Sequence, residues 1–207
     1  MKLESKSTKR SYALAVTLVL LVFSLMGNVL LYTLYLKNGM DRGVENGKQI
    51  VRAAEGAKRH VASVMDGTAG LLEAVSPEER ASALYRLGLS LRDADLLAEF
   101  TETAVKISGE DAAAERRSAS DFILSVERSF GDIANGAGVL TAAERKEILA
   151  IRAAYEQMQG ILDKFDTSAG DNKSFLIRLQ NGGGGWAVIG GQLLDAMSGF
   201  GAAGEGQ

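Results

Sequence analysis

His60 is the chain's only histidine, and imidazole is the side chain that changes charge near neutral pH. It follows Lys58 and Arg59, two cations that disfavour its protonation, and a single histidine cannot assemble a multi-histidine metal site. It reads as a surface residue on an exposed helical turn. The run Gly182–Gly185 invites comparison with a phosphate-binding loop. Such a loop needs Lys-Ser or Lys-Thr at the start of the next helix, and here Trp186-Ala187 follows. It therefore reads as a flexible linker. The acidic pairs Glu78-Glu79 and Glu110-Asp111 are placed in first helical turns. There negative charge complements the helix dipole, so they are not read as paired catalytic carboxylates. Asn172-Lys173-Ser174 matches the glycosylation acceptor pattern, which matters only in a eukaryotic secretory pathway. With no cysteine, thiolate metal sites, disulfides and a cysteine nucleophile are excluded. No catalytic, cofactor-binding or metal-ligating residue is assigned, no cofactor is expected, and the chain is not read as an enzyme.

Asn28, beside Gly27, is the remaining polar group of interest. An amide within a bilayer can hydrogen-bond across a pair of helices, and glycine permits close approach. Lateral association is one reading of this pair. An isolated polar residue towards the outer leaflet is the other.

The element that holds Asn28 organises the chain. From Ser11 to Leu36 there is no charged residue. About 20 helical residues at ~1.5 Å each already cross a ~30 Å hydrocarbon core. Tyr12 at one end and Tyr32 and Tyr35 at the other suit the two headgroup interfaces. A cleaved secretory signal has an apolar core of only about 7–15 residues and ends in a small-x-small site. Here the run is longer and ends Tyr32-Thr33-Leu34-Tyr35-Leu36, with bulky residues where a peptidase needs small ones. The stretch reads as an uncleaved signal-anchor and a single transmembrane helix.

Orientation follows from charge. Lys2, Lys6, Lys9 and Arg10 stand against Glu4 before the span; Lys37 and Arg42 stand against Asp41 after it. Basic residues favour the cytoplasmic side. The expectation is a cytoplasmic N-terminal arm, a cell-membrane location and an extracytoplasmic bulk. The chain has 207 residues and a formal charge of −3, and with the basic arm set aside the remainder is more acidic still. This speaks against nucleic-acid binding. One proline among many Ala, Leu, Glu and Arg predicts long helices.

The expected layout is a basic arm over 1–10, the transmembrane helix over 11–36, a juxtamembrane helix over 37–75, a helical bundle core over 76–166, and short apolar helices with a Gly-rich tail over 167–207. In the juxtamembrane helix Val51, Ala54, Val61, Met65, Leu72 and Val75 recur at three-four spacing, broken by Lys58 and Thr68. A hinge is expected near Asn38-Gly39. Glycines on the inner face would let neighbouring helices approach closely. Ser76-Pro77-Glu78-Glu79 is a helix start with a capping box. Arg92-Asp93-Ala94-Asp95 offers a break, with Asp93 as a cap. Ser108 to Asp111 reads as the start of a helix with Ala119, Phe122, Ile123, Val126, Phe130 and Ile133 inward, stopped at Asn135 to Gly138. Thr141-Ala142-Ala143-Glu144 is a second capping box, followed by the stripe Ile148, Ile151, Tyr155, Met158, Leu162 and Phe165. Trp186 to Phe200 has helical spacing but contains Gly190 and Gly191. It reads as a weak amphipathic helix docking on something apolar, or as a mobile end.

The fold class is all-α: one transmembrane helix followed by an extracytoplasmic bundle of about four helices. A span followed by helices resembles in outline the helical ectodomains of bacterial chemoreceptors, although the sequence shows neither their second span nor their signalling module. With Leu140-Thr141-x-x-Glu144, it is also similar in outline to the membrane-anchored helical region of spore-germination proteins. Neither likeness carries a function across. The expected role is an interaction or scaffold component of the cell envelope, working through an envelope protein partner or self-association. The alternative is a sensor ectodomain that binds a small-molecule ligand between helices and signals through a membrane-spanning partner.

Overall fold

The computed structural model describes residues 5–109, 118–136 and 138–200, and among them every regular element is a helix. Helix α1 runs Ser5–Glu73, followed by α2 Pro77–Ser90, α3 Ala94–Ser108, α4 Ala119–Asn135, α5 Ala142–Leu162, α6 Lys173–Gln180 and α7 Trp186–Gly199. The chain divides into two compact units, Met1–Gly43 and Val44–Gln207.

In the first unit α1 is the one helix among the described residues long and apolar enough to cross a membrane. Its large side chains from Leu14 to Leu36 are exposed on every side of the helix. The helix continues unbroken through Asn38 and Gly39, where a hinge was expected. A glycine costs a helix about 1 kcal/mol relative to alanine, which local propensity over such a long element can absorb.

In the second unit the remainder of α1 contributes Ile50, Ala53, Ala54, Ala57, Val61, Val64 and Leu71 to a core shared with all the later helices. The three-four stripe is present, but Val75 lies beyond the helix end at Glu73 and is exposed. Gly47 and Gly56 sit where neighbours press closest. A methyl at Gly47 would collide with the backbone of Leu176, and one at Gly56 with the side chain of Leu96. Gly39 has open space around it instead, so its occurrence is not explained by packing.

The helix starts follow local chemistry. Ser76 accepts from the Glu79 N–H at 3.2 Å with Pro77 at the first helical position. Glu79 reaches past Ser76 to the Val75 N–H at 2.8 Å, so the box closes one residue early. At Thr141 both halves form, with Glu144 N–H to the Thr141 hydroxyl at 3.2 Å and Thr141 N–H to the Glu144 carboxylate at 2.7 Å. The break at Arg92 to Asp95 is a short 3-10 turn, Leu91–Asp93. Asp93 does not cap α3 through its side chain; its carboxylate accepts from Arg59 Nε at 3.1 Å instead. Ser108 ends α3 rather than starting α4, and Gly109 follows with φ +67°. Ser118 caps α4 by accepting from the Asp121 N–H at 3.0 Å. Glu110 and Asp111 lie outside the described residues.

Candidate functional site

The residues with the richest chemistry converge inside the second unit. His60 is wholly buried, which overturns its reading as a surface residue. A helix returns to the same face after three and four residues, so His60 shares the inward face with the buried Ala57 and Val64, whatever the charges of Lys58 and Arg59. Its Nδ1 lies 2.9 Å from the Ser90 carbonyl oxygen and its Nε2 3.0 Å from the Tyr155 hydroxyl. A carbonyl can only accept, so Nδ1 carries the proton and donates to Ser90. Nε2 of the neutral ring then accepts from the Tyr155 O–H. Three helices meet at this ring: α1, the end of α2, and α5.

This environment opposes charge. Burial is the main cause lowering the His60 pKa, partly countered by the Ser90 carbonyl and by Asp93. Burial likewise pushes the Tyr155 hydroxyl upwards. The Tyr155 ring also packs edge-on against His60 at 5.5 Å and lies tilted against Phe122 at 5.7 Å. The cluster is a neutral, satisfied polar centre inside an aromatic wall, suited to fixing helix register.

A second polar knot joins α2, the end of α4 and the start of α5. The Arg80 guanidinium is buried, pairs with Glu144 at 2.6 Å, and donates to the carbonyls of Gly138 (3.2 Å) and Ile133. The Thr141 backbone N–H first, then the Thr141 hydroxyl and Arg80, hold the Glu144 carboxyl below the usual carboxylate range. Glu144 is thus at once a helix cap and a counter-ion. Among the described residues no group of three or more His, Cys, Asp or Glu is placed to hold a metal.

No protein-family model, curated protein or solved structure matches this chain.

The other chemically suggestive residues take local roles. Gly183–Gly185 form a short 3-10 turn kinked at Gly184 and preceded by Gly182, with Gly182, Gly184 and Gly185 at φ +73°, +84° and +74°. This is left-handed backbone that glycine adopts without a Cβ penalty, so the run is a tight turn and not a flexible linker. It returns Trp186 to the core, where the indole N–H donates to the Leu179 carbonyl at 2.8 Å. Asn172 caps α6, its side-chain oxygen accepting from the Ser174 and Phe175 N–H groups. Glu78 and Glu79 sit in the first turn of α2.

Hollows open on the second unit, among them a polar one of about 280 Å³ lined by Lys48, Arg52, Glu55 and Asp171. A groove of about 710 Å³ lies between α5 and α7, lined by Ala150, Ala153, Ala154, Phe200, Lys146 and Glu147. A smaller cleft of about 150 Å³ is lined by Asn46, Gln49, Glu99, Thr103, Phe100 and Trp186. In the first unit the Thr33 hydroxyl donates to the Val29 carbonyl at 2.8 Å. Among the described residues Asn28 makes no comparable bond, and its side chain is exposed.

Proposed function

We propose that the protein is a single-pass membrane-anchored helical module of a bacterial-type cell envelope. In this reading the N-terminal arm is cytoplasmic, and an extracytoplasmic helical body engages partner proteins without catalysing a reaction. The observation that carries it is the contrast within α1. Between Leu14 and Leu36 large apolar side chains face outwards all round the helix, a surface that water penalises and lipid accepts. The buried histidine, tyrosine and arginine of the second unit are spent on joining helices, which suits a rigid body that presents a surface.

The small cleft beside Trp186 favours a second reading, a sensor that takes a small ligand between helices. Anything that binds the folded state raises its unfolding temperature by mass action. Full-length protein in bilayer discs, screened by thermal shift against small polar metabolites, separates the two. Stabilisation that is lost on Thr103→Leu supports the sensor. No stabilisation, together with specific in-membrane crosslinking to envelope proteins, supports the module. Protease digestion of intact cells tests the topology. Cleavage of the body from outside is expected, and protection of the body with cleavage of the arm would reverse the orientation.

A further inference from the structure

The polar residues of the span are not scattered. Thr17, Ser24 and Asn28 fall, with Leu14, Leu21, Leu31 and Tyr35, on one alternating three-four series along α1. That series is a heptad seam. Leu14, Leu21, Asn28 and Tyr35 occupy one of its two core positions, and Thr17, Ser24 and Leu31 the other. Thr33 lies off the seam, and its hydroxyl is already bonded to Val29 of its own helix. The face that gathers the polar groups is thus the face whose period suits a second helix.

Resting on the anchored reading above, we infer that this seam pairs with the same seam of a second copy of the chain, forming a parallel two-helix coil in the membrane. Three physical points select a second copy as the occupant. Copies inserted by the same basic arm run parallel, so each residue meets its own counterpart at the same depth. Asn28 lies well inside the hydrocarbon zone, less than two helical turns from the middle of the uncharged run. Its carboxamide carries both donor and acceptor, so two identical amides satisfy each other where neither lipid nor its own helix offers a partner. An asparagine at this core position is also the residue that fixes register and favours two strands in a coiled coil. Small Ser24 and Thr17 at the alternate position let the helices approach closely.

The chain contains no cysteine, so single-cysteine scanning of the full-length protein in membranes is a clean probe. Cysteines placed one at a time from Leu20 to Thr33 are expected to crosslink most strongly at Leu21, Ser24, Asn28 and Leu31. Weak crosslinking is expected at Val22, Met26, Val29 and Thr33. By energy transfer between labelled copies in bilayers, Asn28→Leu should weaken self-association roughly three- to thirtyfold. Asn28→Gln should restore much of it, and Thr33→Val should change little. A flat crosslinking profile, or a maximum on the opposite face, overturns the seam. So does protein that stays in the membrane as monomers at every protein-to-lipid ratio, although it leaves the anchor standing. Release of the protein into the aqueous phase would overturn the anchor and the seam together.

Discussion

Helix α1 passes through two environments, and the comparison between them explains most of the molecule. Before Gly43 its apolar side chains cover the whole circumference and remain exposed; after Val44 they narrow to one stripe and are buried. The backbone is helical throughout, so local propensity does not distinguish the two parts. What distinguishes them is where the apolar surface goes. In the second unit it joins a core shared with α2 to α7, and the buried polar side chains bond within the protein, Arg80 Nε being the one such atom among the described residues left without a partner. In the first unit it stays exposed on the surface of the helix, as does the polar side chain of Asn28. An all-round apolar helix needs lipid, whereas a striped one needs a core.

The largest effect should come from the core. Trp186 is fully buried, with its ring 5.5 Å from Phe100 and its N–H bonded to Leu179. Trp186→Ala should destabilise the second unit by about 3–5 kcal/mol, read as a fall in the circular-dichroism melting temperature with membrane retention unchanged. Next is a matched pair of leucines, both largely exposed. Leu25→Arg places a charge near the middle of the span and should cost insertion about 2.5–3.5 kcal/mol. Leu149→Arg, at a residue 51% exposed on α5, should change stability by no more than about 0.5 kcal/mol. Equal effects would erase the distinction between the two parts. Gly47→Ala comes third. Its methyl would meet the rigid backbone of Leu176, and overpacking of this kind costs about 1–3 kcal/mol. Gly39→Ala, facing open space, should be neutral or slightly stabilising.

The smallest effect is electrostatic. The unfolded chain's histidine takes a proton near pH 6.5, whereas burial lowers the pKa of His60 in the fold. Between those two points the unfolded chain binds more protons, so stability is full above about pH 6.5 and falls on acidification until the folded ring also titrates. The depressed carboxyls of Glu144 and Asp166 act lower, their contribution being lost as pH falls through the acid range. His60 is the only histidine, so His60→Gln should flatten the dependence between about pH 5 and 7. The single tryptophan offers a fluorescence readout from within the same core.

Much of this organisation was legible in the residues. The uncharged run, the complete capping box at Thr141, the start at Pro77, the break before Ala94 and the buried stripe of α5 all follow from local spacing. The helical end near Asn135 also follows, whereas α5 stops at Leu162, before its stripe residue Phe165. Position within a tertiary contact was less legible. His60 looks solvated beside Lys58 and Arg59, yet it turns inwards because α5 offers Tyr155, a partner 95 residues away. Thr68 looks like a break in the stripe, but its hydroxyl bonds back to Val64 at 2.8 Å and so can be buried. The glycine-rich end looks loose for the opposite reason. Gly190 is there because a side chain would strike Ala104, and α7 docks into the core, the first of its two expected readings, instead of remaining a mobile tail. Arg80, buried through a contact to Glu144 64 residues on, gave no local signal at all. The groove between α5 and α7 likewise depends on two helices whose pairing no local pattern announces.

The anchor is tested most directly by isolating membranes from cells that make the full-length chain, washing them at alkaline pH, and measuring the intact mass of the retained protein. Retention in the pellet with the span still attached to the body is the expected result. A product released by the wash, or one whose first residue lies beyond Leu36, would contradict it.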